Sequence, residues 1–170
     1  MYTAKDILLG RERRIEYQEK LLEKYKMPIL VIRVNYPGLN KNNCFSKEII
    51  TIMEQIISKI FLHSIRYKIM NTTAEGPILI MCINMKARDI KLEALDIEEK
   101  HPLGRCVDID VYDEKGIGVS REDFGIGMRK CFICEDMAHN CVRSKKHSSE
   151  EVEGFIINKL AEYMEKSYGK

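Results

Sequence analysis

Asp108 and Asp110 stand two residues apart in the run Gly104-Arg105-Cys106-Val107-Asp108-Ile109-Asp110-Val111, which is otherwise mostly apolar and β-prone. Residues i and i+2 of a strand share a face, so the two carboxylates stand side by side while Val107, Ile109 and Val111 pack on the opposite face. Like charges at that spacing repel, and partial burial adds a desolvation cost. A hard divalent cation such as Mg²⁺ relieves both, because it takes carboxylate oxygens and commonly keeps substrate phosphates as further ligands. The pair therefore points to phosphoryl or nucleotidyl transfer, with Asp108 and Asp110 as metal ligands. The plain alternative is an edge strand whose outward face is only solvated.

Cys131, Cys134, Cys141 and His147 form a second constellation, C-x2-C-x6-C-x5-H, with His139 as a spare imidazole. Thiolates with imidazole are the donors Zn²⁺ takes in closed tetrahedral sites, although this spacing is not a standard finger. The chain from Ser120 to His147 has no persistent period, and a metal staple would explain how so long a loop is held. Buried free thiols are the ordinary alternative. A redox Cys-x-x-Cys is weaker, since that chemistry usually wants a helix N-terminus next to a strand. Interleaved cations at Arg121, Arg129, Lys130, Arg143, Lys145 and Lys146 meet no acid between Asp136 and Glu150. They suit a polyphosphate, through arginine forks and lysine point charges, or an acidic protein partner; the bland reading is a solvated basic surface. The glycines at 116, 118, 125 and 127 build neither a P-loop nor a dinucleotide fingerprint.

The elements that must position these groups follow from periodicity. Thr3-Ala4-Lys5-Asp6 resembles a capping box and opens a charged helix with a narrow apolar stripe at Leu8, Ile15, Leu22 and Tyr25. Residues 28–35 read as a strand ended by Pro37-Gly38, and Ser46 is expected to cap a helix through about His63. Residues 65–69 and 78–83 suggest a hairpin turning through Asn71 to Pro77, and a polar helix from about Lys86 to Glu99 ends before His101-Pro102. A last helix starts at the capping box Ser148-Ser149-Glu150-Glu151 and buries Val152, Phe155, Ile156, Leu160 and Tyr163. This alternation implies a single α/β or α+β domain over residues 1–170, a mixed sheet flanked by helices. With 28 Lys and Arg against 26 Asp and Glu, the chain is no polycation, so nucleic acid is not an expected partner. No apolar run reaches the roughly 20 residues of a membrane-spanning helix, no secretory signal is present, and six cysteines read as reduced thiols or metal ligands. The expected location is the cytoplasm.

Taken together, His101-Pro102-Leu103-Gly104-Arg105, the Asp108-Ile109-Asp110-Val111 strand, Ser120-Arg121, and Arg129-Lys130-Cys131-Phe132-Ile133-Cys134 through Ala138, Cys141, Arg143 and His147-Ser148 closely resemble the apo-citrate lyase phosphoribosyl-dephospho-CoA transferase (CitX) family. Arg11-Glu12 and Asn35-Tyr36-Pro37-Gly38 also fit, so the resemblance runs over most of the chain. It implies a nucleotidyltransferase-like fold. It also implies transfer of phosphoribosyl-dephospho-CoA from its triphosphoribosyl precursor to a serine of the apo acyl carrier (gamma) subunit of citrate lyase, with release of pyrophosphate. On this reading Asp108 and Asp110 hold Mg²⁺, with Arg105, Arg121 and Arg129 around the triphosphate. Gly104, Ser120, Arg143 and His147 complete the substrate-binding set, and Arg143 to Lys146 meet the acidic carrier. His147 and His101 are the candidate general bases, since imidazole titrates near neutrality.

One departure stands out. Typical nucleotidyltransferases place a Gly-Ser pair on a helix ahead of their carboxylates and a third acid on a later strand. Here only Gly104-Arg105 precedes the strand, and Asp113 is the nearest later acid. One metal is expected rather than two. The competing function is a noncatalytic zinc-stapled basic adaptor, in which Cys131, Cys134, Cys141 and His147 hold a loop that binds an acidic protein or RNA.

Overall fold

The computed structural model describes residues 2–169. Helix α1 (Ala4–Tyr25) starts at the expected capping box: Asp6 N–H donates to Thr3 Oγ1 at 3.2 Å, and Thr3 N–H donates to Asp6 Oδ2 at 2.7 Å. Its buried line is Ile7, Gly10, Gln18 and Leu21, whereas Leu8 and Ile15 of the expected stripe are exposed. The reason is a polar insert. Glu75, buried at the tip of a hairpin, pairs with Arg14 at 3.0 Å, and Arg14 also donates to Gln18 at 2.9 Å. The helix therefore rolls its polar residues inward there. Strand β1 (Ile29–Val34) follows, and then α2 (Cys44–Ile60), capped by Asn43 rather than by Ser46. The Asn43 Oδ1 accepts from the N–H of Ser46 at 2.9 Å, so the serine sits inside the first turn.

Strands β2 (Ile65–Thr73) and β3 (Gly76–Ile83) form the expected hairpin, with a tighter turn than the one read over 71–77. Next come α3 (Ala87–Lys100), a 3₁₀ turn at Gly104–Cys106, β4 (Val107–Tyr112) and the two-residue β5 (Gly118–Val119). A short α4 (Ala138–Ser144) precedes α5 (Ser149–Tyr168), which opens on the capping box of Ser148 and Glu151. The sheet order is β2-β3-β1-β4-β5, and each of the four pairings is antiparallel. The result is the α+β form of the expected fold, consistent with a nucleotidyltransferase-like arrangement, and its ladder is antiparallel rather than mixed. Among the described residues, no helix is long and apolar enough to cross a membrane.

Two cores lie on the two faces of this sheet. On one, Leu30, Ile32, Leu79, Met81, Val107, Ile109 and Val111 pack against α2, α3 and α5. On the other, Ile29, Val31, Ile78 and Ile80 pack against Leu21, Tyr17 and Tyr25 of α1. The alternation in β4 sends Val107, Ile109 and Val111 into the first core. Asp108 and Asp110 consequently emerge on the second face, opposite Arg33 and Val31 of β1.

Strand β5 pairs only with Val111 and Tyr112, which leaves Ile109 without a strand partner on that edge. Helix α3 supplies the missing partners. Lys91 Nζ donates to the Ile109 carbonyl at 2.8 Å, and Ile109 N–H donates to Glu98 Oε1 at 3.0 Å. The turn that joins α3 to β4 must run tight against the helix end for this to happen. At Gly104 a β-carbon would lie 2.2 Å from the Ile97 carbonyl oxygen and 2.8 Å from that of Glu98. Gly104→Ala is therefore expected to destabilise the fold by about 1–3 kcal/mol, the usual cost of overpacking, read as a lowered urea midpoint. An unchanged midpoint would show that the turn gives way freely.

Candidate active site

Asp108 and Asp110 are both ion-paired. Arg129 Nη1 donates to Asp108 Oδ1 at 2.8 Å, and Arg33 Nη2 donates to Asp110 Oδ2 at 2.8 Å. Arg129 also reaches around the strand edge, to the Val107 carbonyl at 3.2 Å and to Glu98. Glu98, only 4% exposed, binds Arg121 through its other oxygen at 3.0 Å. Three carboxylates and three arginines thus interlock around β4. Both Glu98 oxygens are occupied, so this acid orients arginines and does not extend the Asp108–Asp110 pair.

Burial pushes the Asp108 carboxyl above its ordinary value; Arg129 and Arg33 pull it down, and the neighbouring Asp110 and Glu98 charges add to the rise. Burial lowers Lys91, with Glu98 and Asp110 opposing that shift. Arg33 Nε is buried with no hydrogen-bond partner in the protein, which leaves a donor free beside the pair.

The carboxylates open onto a cleft of about 800 Å³ between β4, β5 and the loop that follows. Of the sequence-derived residues, Asp108, Asp110, Ser120, Arg121, Arg129 and Arg143 line it, as does His139. Its rim is tied to α3, where the Arg88 guanidinium lies 4.4 Å from the Phe124 ring centre and donates to the Asp123 carbonyl at 3.3 Å. Ser120 N–H donates to Asp123 Oδ2 at 2.7 Å, which fixes the start of the same turn.

Four residues singled out in the sequence lie away from the cleft lining. Gly104 does not line the cleft and serves close packing. Arg105 also lies outside it: its guanidinium donates to the Lys130 carbonyl and ties the following loop to the body. His101 accepts a hydrogen bond from Leu103 N–H through Nδ1 at 3.1 Å and packs on Tyr163; burial lowers its pKa. Asp113 closes the β4–β5 turn, accepting from the N–H groups of Lys115 and Ile117 at 2.9 and 2.8 Å. Sequence reasoning passed over Glu98, Lys91 and Arg33 and ranked His139 as a spare. An acid seven residues after a lysine on the helix just ahead of the strand was the available signal for Lys91 and Glu98.

His147 lies apart from the cleft lining, with the cysteines. Among the described residues, Cys131, Cys134, Cys141 and His147 are the one group of three or more His, Cys, Asp or Glu that gathers its ligand atoms, all within 4.8 Å of one another. Cys134 Sγ is 3.5 Å from Cys141 Sγ and 3.3 Å from His147 Nε2. For Cys131, burial opposes ionisation, yet backbone N–H donors and the adjacent thiols lower its pKa.

An α+β domain that brings paired carboxylates and several arginines to one open cleft has the site of a phosphate-handling enzyme. A family model described as apo-citrate lyase phosphoribosyl-dephospho-CoA transferase matches residues 2–163, and the chain belongs to that family. A Citrobacter koseri protein of the same name is 31% identical over 151 residues, which is 86% of this chain and 82% of that protein. An Escherichia coli O1:K1 relative, again of that name, is 32% identical over 146 residues, covering 84% of this chain and 79% of its own. Family membership sets aside the noncatalytic adaptor as the chain's main function.

The Asp108 environment carries a stability signature. Both folded and unfolded chains hold the proton well below the ordinary value of 3.8, where burial costs nothing electrostatic. As pH rises through the elevated folded value, the ionised form destabilises the fold. Asp108→Asn should therefore gain stability relative to the wild type as pH rises from acid to neutral, measured as a widening difference in thermal midpoint. A difference independent of pH would contradict this reading.

Proposed function

We propose that Asp108 and Asp110 form the metal end of the transfer site, that Arg129 and Arg121 receive the phosphates of the incoming nucleotide, and that Arg33 holds Asp110 from the neighbouring strand. The chain transfers phosphoribosyl-dephospho-CoA to the acyl carrier protein of citrate lyase, the activity its family carries. In that reaction the acceptor serine oxygen attacks the phosphorus nearest the ribose, the bond to the next phosphate breaks, and pyrophosphate leaves. The observation that carries the assignment of roles is the convergence of Asp108, Asp110, Arg121 and Arg129 on one cleft.

The donor set fits one hard cation. Two carboxylates share a strand face beside a cleft, and burial raises the pKa of Asp108, with the like charge of Asp110 adding to the rise. When bound, Mg²⁺ neutralises phosphate oxygens and lowers the pKa of the acceptor hydroxyl. Asp108 and Asp110 are the residues that would hold it. Without substrate, Arg129 and Arg33 occupy those same carboxylates. A triphosphate offers the arginines stronger, forked partners, so its entry exchanges arginine–carboxylate pairs for arginine–phosphate pairs and frees the aspartates. Arg121 and Arg129, held from behind by Glu98, then face the departing pyrophosphate, where negative charge accumulates.

His139 replaces His101 and His147 as the imidazole placed to take the serine proton, since it alone of the three lines the cleft. The stretch Arg143 to Lys146 extends from the cleft along the exposed surface and suits an acidic carrier, the gamma subunit of citrate lyase. The proposed setting is the reducing cytoplasm, where six cysteines serve as thiols or metal ligands.

Apo carrier protein incubated with the enzyme, Mg²⁺ and triphosphoribosyl-dephospho-CoA should gain the mass of the prosthetic group. Asp108→Asn and Asp110→Asn should each cut the rate by about 10²-fold or more with the fold retained, as should Arg129→Met, in line with losing one charge-stabilising group. Full activity in both aspartate variants would refute the metal end of the site. His139→Ala should lower kcat by about 10²-fold and leave KM for the nucleotide unaltered, a pattern expected of a proton acceptor and not of a binding group.

A further inference from the structure

Between Arg129 and Ala138 the chain folds back on itself. Lys130 and Met137 form an antiparallel bridge, Cys131 N–H donates to the Asp136 carbonyl at 2.6 Å, and Ala138 N–H donates to the Arg129 carbonyl at 2.9 Å. The tip of this turn is Cys131-Phe132-Ile133-Cys134, where Ile133 N–H donates to Cys131 Sγ at 3.4 Å. An N–H aimed at sulfur stabilises a thiolate ligand. Helix α4 then brings Cys141 against Cys134, and the return toward α5 brings His147, with Lys146 N–H donating to the Cys141 carbonyl at 3.0 Å.

We infer that Cys131, Cys134, Cys141 and His147 bind one Zn²⁺ as a closed structural site, and that this site holds one wall of the transfer cleft in place. Tetrahedral bonds of about 2.3 Å to sulfur and 2.0 Å to nitrogen put neighbouring ligand atoms about 3.5–3.8 Å apart. The 3.5 Å between Cys134 and Cys141 sulfurs and 3.3 Å from Cys134 sulfur to His147 nitrogen are close to that spacing. Four protein donors leave no open position, so the metal is structural and takes no part in the chemistry. Three thiols each give up a proton to the medium on binding, and the imidazole binds neutral. The complex carries a charge of about −1, which Lys146 beside Cys134 helps to offset.

The same segment supplies one wall of the cleft. Arg129, the partner of Asp108, stands two residues before the first ligand, and Ala138, His139 and Arg143 share α4 with Cys141. Besides the Arg129 pairs with Asp108 and Glu98, two contacts tie the turn to the body. Phe132 stacks on Phe155 of α5 with ring centres 4.7 Å apart, and Arg105 holds the Lys130 carbonyl. Helix α4 has seven residues, too few to be stable alone. A metal that crosslinks the turn, the helix and the following strand of loop gives the wall the rigidity that positioned arginines need.

The test begins with metal content. Protein purified with reductant and without added metal should carry about one Zn²⁺ per chain. After removal of zinc under reducing conditions, one equivalent of Co²⁺ should produce thiolate-to-cobalt charge-transfer bands and a tetrahedral ligand-field envelope, which Zn²⁺ then abolishes. Cys134→Ser and His147→Ala should lose zinc, whereas Cys44→Ser, on the far exposed start of α2, should keep it. Zinc-stripped wild type should transfer the prosthetic group at least about tenfold more slowly at saturating Mg²⁺ and recover on adding Zn²⁺. Reduced protein that holds no zinc and develops no cobalt bands would overturn the site, and so would a Cys134–Cys141 disulfide in metal-free native protein. Zinc binding with no effect on transfer would overturn its role in the cleft. The zinc and cobalt readouts do not depend on transfer, so a failure of the proposed function leaves them separately decisive.

Discussion

The capping of Ile109 by α3 is the contact on which the site is built. A strand in the middle of a sheet has both edges bonded, but β4 is flanked on its outer side by a strand of only two residues. The exposed amide and carbonyl of Ile109 would be left unpaired beside a buried side chain, a cost of about 1–3 kcal/mol for each orphaned group. Lys91 and Glu98 take both, acting as a one-residue substitute for the missing strand. Because Glu98 spends only one oxygen mainly on the backbone, its second is free to hold Arg121, and the pair of oxygens together brings two arginines to the carboxylate face. A backbone requirement thus becomes an electrostatic arrangement.

That arrangement also explains how several like charges share so small a region. Asp108, Asp110 and Glu98 would repel one another, as would Arg33, Arg121 and Arg129, if either set were alone. Interleaved, the two sets offset each other's charge, although burial still leaves Asp108 with a raised pKa. Each of the three carboxylates is held by an arginine. On the proposed reading, substrate phosphates would take over the arginines and a cation the aspartates, so both halves of the network would exchange partners together.

Local signals were readable where backbone geometry alone governs them. Both capping boxes appear as read, at Thr3 and Ser148, since each is complete within four consecutive residues. The β4 alternation was equally clear, because burial on one face is a period-2 property of the strand itself. In α1, Leu22 and Tyr25 of the expected stripe pack on the second core, whereas Leu8 and Ile15 do not, and the reason is the buried Glu75, 61 residues from Arg14. That ion pair draws Arg14 and Gln18 inward and turns Leu8 and Ile15 out. The shift of the α2 cap from Ser46 to Asn43 has a smaller cause: both are good capping residues three apart, and only one of them can precede the first turn.

By itself, the amino-acid sequence determined the strand that carries Asp108 and Asp110, the helices on either side and the family whose motifs the chain shares, since all of these reside in short runs of residue types. Tertiary structure alone decided which other side chains pair with those carboxylates or line the cleft with them. Arg33 arrives from the neighbouring strand, Glu98 and Lys91 from a helix, and His139 from the far side of the irregular loop, while Gly104, Arg105 and His101, adjacent in sequence, turn to packing and support. The physical reason is that a site assembles through sheet register and edge bonding, which join residues far apart in the chain. Sequence proximity governs only the local backbone that presents them.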